Sequence, residues 1–161
     1  MIDFLARLLA WGEPVLAEAS MLDAPDLAEL HAASFPRGWS DSEFVRLLRD
    51  RNVVAHRATV AGIITGFILS RQAGDEAEVL SIAVAASYRR RGVARRLLDL
   101  HLRRLAGLGV RAVLLEVDED NVPARRLYTH AGFSTVGRRE GYYPRPKATP
   151  ASALVLRRDL A

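Results

Sequence analysis

The feature that most constrains this chain is a change of hydrophobic period near its midpoint. Upstream, Val53–Val60, Gly62–Arg71 and Glu76–Val84 are β-branched or alternating runs of strand length, and the first two meet at Ala61-Gly62 as the arms of a hairpin do. Downstream, Tyr88-Arg89-Arg90-Arg91-Gly92-Val93-Ala94 leads into a stretch whose apolar residues Ala94, Leu97, Leu98, Leu105 and Leu108 recur at helical spacing. Gly107 and Gly109 stop that helix, and Ala112–Val117 reads as an apolar strand buried on both faces. Pro123–His130 is a short helix ended by Ala131-Gly132, and Phe133–Arg139 and Ala153–Arg158 read as closing strands. Ahead of these, Pro14–Ala19 fits a first strand. A helix capped by Asp23, with Pro25 in its first turn, runs to about Ser34. A second, capped by Ser40 or Asp41, runs to about Arg49 and buries Phe44, Leu47 and Leu48. An antiparallel first half followed by strand, helix and strand predicts a mixed α/β (α+β) domain built on one central sheet.

No linker, repeat or low-complexity run divides the 161 residues, so residues 1–161 read as a single domain. Ile2, Leu5, Leu8 and Leu9 are spaced as on one helix face, which predicts a short helical extension over residues 1–13. The absence of Cys excludes disulfides, thiolate metal sites and a Cys nucleophile, and accords with a cytoplasmic, reducing location. The 23 basic and 19 acidic residues leave a net charge of +4, and Lys147 is the one basic residue that is not Arg. With aromatics at 7% and scattered, no basic stripe with interleaved rings forms, so no nucleic acid partner is expected. No run reaches the length of a membrane span, so no membrane partner is expected either. The four His form no metal set. His31 and His101 lie on helices, and His101 borders an apolar face, where a rim position is expected.

Gly107-Leu108-Gly109-Val110-Arg111-Ala112 matches the dinucleotide fingerprint as letters. It follows a helix and opens a strand, however, the reverse of what that fingerprint requires. The Arg89–Ala94 turn lies in the productive order, strand first and helix second. Its helix N-terminus offers outward backbone N–H groups to an anion, Gly92 removes a Cβ from the approach, and neighbouring Arg side chains add charge. A helix start with a solvated Arg face accounts for the same residues. Glu116 shares its strand face with Ala112 and Leu114, where a carboxylate is partly desolvated, a setting suited to a general base. A strand-end Glu turned to solvent is the plainer reading. Asn121 precedes Val122-Pro123 as an N-cap does. Asp118-Glu119-Asp120 is either a solvated loop or a surface that draws in a cationic peptide.

Leu80-Ser81-Ile82-Ala83-Val84 followed by Tyr88-Arg89-Arg90-Arg91-Gly92-Val93-Ala94-Arg95-Arg96-Leu97-Leu98 resembles the acetyl-CoA motif of the GCN5-related N-acetyltransferases, the GNAT family, whose core is Arg/Gln-x-x-Gly-x-Gly/Ala. Leu115-Glu116-Val117, Asn121, Ala124, Leu127-Tyr128 and Ala131-Gly132-Phe133 resemble its second block. Arg139-Glu140-Gly141-Tyr142-Tyr143-Pro144, and Ser34-Phe35-Pro36 with Trp39-Ser40 and Phe44, resemble the RimI-type ribosomal-protein alanine acetyltransferases within it. The resemblance covers roughly residues 22–160. It implies a central mixed, mostly antiparallel splayed sheet flanked by helices, with acetyl-CoA as cosubstrate between the strands ending at Val84 and Val117. It implies that Ile82, Ala83 and Val84 offer backbone to the pantetheine arm and that Arg90, Arg91, Gly92, Val93, Ala94 and Arg95 wrap the pyrophosphate. It also implies that Asn121 contacts the cofactor, that Glu116 is the general base and that Tyr128 is the general acid, with no metal. The implied acceptor is the α-amine of a protein N-terminus, on a small-subunit ribosomal protein. Lysine side chains or small amines as acceptors, and a non-catalytic acyl-CoA-binding module, are alternative readings. Tyr128 on its own residues is equally a core aromatic with a bonded hydroxyl. The chain departs from the pattern in Ala94, where Gly is common, in a loop lengthened by Arg37-Gly38, and in the less acidic Arg145–Pro150.

Overall fold

The computed structural model describes residues 12–143 and 151–160, with Tyr142 and Tyr143 described by their backbone. Residues 1–11 of the expected extension and the 145–150 stretch lie outside the described residues, and Gly12 and Glu13 are not helical. The elements are β1 (Val15–Glu18), α1 (Ala24–Ser34), α2 (Asp41–Arg49), β2 (Val53–Val60), β3 (Ile63–Ala73), β4 (Glu76–Val84), α3 (Val93–Gly107), β5 (Ala112–Asp118), α4 (Val122–His130), β6 (Ser134–Tyr143) and β7 (Ala151–Asp159). They build one seven-stranded sheet in the order β1-β2-β3-β4-β5-β7-β6, antiparallel throughout except between β4 and β5. That is the mixed, mostly antiparallel sheet expected, with the last strand slotted between β5 and β6.

Capping chemistry sets the helix starts. Ser40 Oγ accepts the Glu43 N–H at 3.2 Å while the Glu43 carboxylate accepts the Ser40 N–H at 2.7 Å, a reciprocal box that opens α2. At α1 Asp23 is the N-cap, as expected, with Pro25 in the first turn, but its side chain makes no cap bond to the helix. A single 3-10 turn, Met21–Asp23, precedes the helix, and the Asp23 carboxylate accepts the Ser20 N–H at 2.8 Å and pairs with Arg57 at 3.1 Å.

Helices cover the sheet unequally. α3 lays Val93, Leu97, Leu98, Leu102 and Leu105 on one face, against Ile68, Val79 and Val113. α1 and α2 cover β2, β3 and part of β4 on the other face, where Leu27, Leu30 and Phe44 meet Ala55, Phe67 and Leu69. Nothing among the described helices covers that second face at β5. Its Val113, Leu115 and Val117 are buried, but Leu114, Glu116 and Asp118 are half-exposed, so β5 is buried on one face and not on both as expected. Both helix histidines correct the rim expectation. His31 is buried, stacked on Trp39 with centroids 4.3 Å apart, and its Nδ1 accepts the Trp39 N–H at 3.0 Å. His101 is 0% exposed beneath α3, 2.7 Å from both His56 Nδ1 and Ser70 Oγ.

The pairing between β4 and β5 is short: Glu76 opposite Ala112, Ala77 opposite Val113 and Glu78 opposite Leu114. Just beyond, β4 carries a bulge. Leu69 of β3 faces Ser81 and Ser70 faces Val79, so Leu80 is an extra residue. A bulge bends its strand. It also resets the alternation, so that Val79 and Ile82, three apart, both join the cluster under α3. Past Leu80 and Leu114 the two strands part, and the sheet opens into a V. No helix of the described residues is long and apolar enough to cross a membrane.

Candidate active site

The V has one wall of backbone. The Ala85 N–H bonds the Thr65 carbonyl at 2.8 Å, so by antiparallel alternation Ala83 and Phe67, two residues on, form the next bonded pair. Ile82 and Val84 then direct their N–H and C=O groups away from β3 and into the opening, while those of Ala83 turn to β3. The Val84 carbonyl is met there by Arg89 Nε at 2.9 Å, which ties the following turn to the strand.

That turn ends in Gly92 at φ +77°, preceded by Arg90 at φ +62°. Gly92 is the N-cap of α3, and the first helical bond runs from the Arg96 N–H to its carbonyl at 3.0 Å. The N–H groups of Val93, Ala94 and Arg95 therefore project without an intrahelical partner. A Cβ at Gly92 would meet no other atom of the described residues within 4 Å beyond its chain neighbours. The arginines divide the work around it. Arg91 lies over the Tyr88 ring at 5.6 Å, Arg95 pairs with Asp99 at 3.2 Å and Arg96 with Glu13 at 3.2 Å. Arg90 makes no hydrogen bond or ion pair among the described residues. Open donors at a helix N-terminus, positive side chains beside them and a strand edge leading up to them fit a pyrophosphate carried on an extended amide-bearing arm, which is the chemistry of acetyl-CoA.

The other wall is β5. Glu116 is 23% exposed, and its Oε1 accepts from Arg139 Nη1 at 2.6 Å. It lines a concavity of about 340 Å³ with Arg71, Glu76, Glu78, Leu114 and Val155. Tyr128 lies across the strand from it. The ring is 5% exposed, edge-on to Phe133 at 5.8 Å, and shares a cluster with Val84, Val93 and Val117 from both arms of the V. Carboxylate and ring thus lie on opposite faces of the sheet at β5. Asn121 Oδ1 accepts the Ala124 N–H at 3.2 Å, the expected N-cap of α4. The acidic run is drawn into local structure. Glu119 pairs with Arg138 at 3.1 Å, and Asp118 Oδ1 accepts the Asp120 N–H at 2.9 Å. Sequence reasoning missed Arg139 beside Glu116, because their contact crosses two strands whose order only the folded sheet discloses.

An open parallel pair above a bulge, leading to a glycine turn, defines a class of acyl-transfer folds, and comparison with known proteins places the chain in it. The acetyltransferase (GNAT) family matches residues 24–133. The chain belongs to that family, whose members are acetyl-CoA-dependent N-acetyltransferases. It is similar to the N-alpha-acetyltransferase RimI of Mycobacterium tuberculosis, 37% identical over 154 residues covering 91% of this chain and 94% of that protein. It is also similar to the [ribosomal protein bS18]-alanine N-acetyltransferase of Escherichia coli, 33% identical over 127 residues, 79% of this chain and 84% of that one. A crystal structure of the Escherichia coli ribosomal-protein-S18-alanine N-acetyltransferase superposes with a TM-score of 0.86 at 25% identity, covering 92% of this chain and 95% of that one. The fold is shared more widely, with Arabidopsis thaliana NAA60 in complex with acetyl-CoA at a TM-score of 0.79 and 20% identity, covering 91% and 98%. Two other relatives exceed the shared stretch, and the chain spans 64% of one and 43% of the other.

Proposed function

We propose that this protein moves the acetyl group of acetyl-CoA to the α-amine of a protein N-terminus in the cytoplasm, with the alanine that begins a small-subunit ribosomal protein as acceptor. The observation that carries the reading is Glu116, a half-exposed carboxylate on the open sheet face where β4 and β5 part. The relatives named for alanine and N-alpha acetylation support the choice of acceptor. Bound acetyl-CoA supplies an activated thioester. Ile82 and Val84 hold its arm by backbone groups beside Ala83. The turn of Arg90, Arg91 and Gly92, with the N–H groups of Val93, Ala94 and Arg95, holds its pyrophosphate, and Asn121 contacts the same cofactor. Glu116 takes the proton from the acceptor ammonium. An α-amine, with a pKa near 8, is about a tenth neutral at pH 7, whereas a Lys amine near 10.4 is far less so, and a carboxylate base suits the first. Tyr128 holds at its Oη the proton that the departing sulfur needs.

Thiol release from acetyl-CoA, with a peptide beginning in free Ala-Arg, tests this directly. Release that disappears when the α-amine is blocked is the expected result. Release that survives the block would assign the activity to Lys side chains or hydrolysis instead. Glu116→Gln and Tyr128→Phe are each expected to lower kcat by roughly a hundredfold or more, the usual range for a lost acid or base. Tight acetyl-CoA binding with no turnover on any amine would leave a binding module.

A further inference from the structure

We propose that Arg139 is the positioning residue for Glu116, gripping one carboxylate oxygen so that the other is presented to the acceptor amine. The inference rests on Glu116 being the proton acceptor. Sheet register shows how the grip is built. Glu116 is opposite Val155, which is opposite Gly137; one row along, Asp118 is opposite Ala153, which is opposite Arg139. Directly opposed and alternate residues share a face, so all six lie on the open face of the sheet. Arg139 stands two strands, roughly 10 Å, from β5, and a long side chain is needed to close that gap. Its cross-strand neighbour in that row is the small Ala153, and Gly137 stands two residues before Arg139 on β6. The guanidinium does not stop in its own row at Asp118. It leans along the diagonal and ends on Glu116 Oε1 at 2.6 Å, and no hydrogen bond or ion pair to Oε2 occurs among the described residues.

A Glu on a half-open face has three torsions to lose before its oxygen lies within hydrogen-bond reach of a substrate proton. An anchor from another strand of the same sheet removes that freedom before the acceptor arrives. Arg keeps its charge at every working pH and cannot take or give up a proton, so its part is to hold the base, not to exchange protons with the amine. The single end-on bond also sets what can replace it, since a bidentate fork is not required.

Steady-state kinetics on the Ala-Arg peptide at saturating acetyl-CoA would test the assignment. Arg139→Gln is expected to lower kcat on the order of ten- to a hundredfold, the scale of a misplaced reacting group, with the KM of the peptide little changed. Arg139→Lys should restore most of the loss. Arg139 is 54% exposed, so both variants should melt with the wild type. Wild-type or faster turnover in Arg139→Gln, or a loss confined to the peptide KM, would overturn the positioning role; faster turnover would identify the ion pair as a block on the base. Glu116→Gln separates the two layers. If it retains full kcat, the base assignment itself fails, whatever Arg139→Gln does.

Discussion

At Gly92 the backbone holds φ +77°, and a Cβ there would meet no other atom of the described residues within 4 Å beyond its chain neighbours. An L residue there stands in the left-handed region at a cost of roughly 1–2 kcal/mol, and it adds a Cβ to the turn just ahead of the helix N–H groups proposed to hold a phosphate. Gly92→Ala is therefore expected to lower stability by about that amount and, separately, to weaken acetyl-CoA binding by on the order of tenfold, equivalent to ~1.4 kcal/mol. Urea denaturation reads the first and titration calorimetry the second. An unchanged affinity with lowered stability would show that Gly92 serves the turn alone. The turn was legible as letters because its requirement is local, a positive φ between a strand and a helix. The pairing of Glu116 with Arg139 was not, since 23 positions and an intervening strand separate the two.

Among the elements, α3 and β3 come closest where Gly66 passes beneath the helix. A Cβ there would lie 3.0 Å from Leu97 Cδ1, 3.2 Å from the Ala83 carbonyl and 3.3 Å from Val93 Cγ1. The carbonyl belongs to a paired strand and cannot yield, so Gly66→Ala should force β3 and α3 apart and cost about 1–3 kcal/mol, read as a lowered melting temperature. Since Val93 and Ala83 both border the V, the same variant should weaken acetyl-CoA binding in calorimetry. A melting temperature equal to wild type would mean that the helix shifts freely over the sheet. Helix and strand limits in this half were legible because period and capping are carried by adjacent residues: Glu76–Val84 is the expected strand, and α3 presents the expected apolar stripe. The place of β7 between β5 and β6 was not, because strand order depends on pairings that no local pattern encodes. His101 was misplaced for a related reason. It lies four residues from both Leu97 and Leu105, squarely on the stripe, but its partners His56 and Ser70 come from the strands β2 and β3, and without them an imidazole belongs at a rim.

Over the whole molecule, three buried histidines make acid a denaturant. His31 on α1, His56 on β2 and His101 on α3 each hold protons less readily than an ordinary imidazole, chiefly because burial disfavours the charged ring. Glu43 partly opposes this at His31. At His56, Glu18 opposes it and Arg104 adds to it, and the nearby His56 adds to the effect at His101, whose pKa falls to about 3. The sign follows from linkage. Below about pH 6.5 the unfolded chain binds protons at these positions more readily than the folded chain, so stability is fully present above about 6.5 and declines as pH falls, for His101 down to about 3. His101 contributes up to about 1.4 kcal/mol per pH unit in its window, and His31 and His56 act in the same direction, against a domain's total of roughly 5–15 kcal/mol. The urea midpoint is therefore expected to be clearly lower at pH 5 than at pH 7.5. His101→Leu should be less stable at pH 7.5, because His56 and Ser70 lose their partner, yet should show a shallower decline with acid. A wild-type midpoint equal at the two pH values would refute a buried neutral network. Because three elements share these histidines, the loss is global. Activity lost below pH 6 would then follow the folded fraction before it reports any titration in the active site, and the stability curve must be measured before a pH–rate profile can be assigned to Glu116.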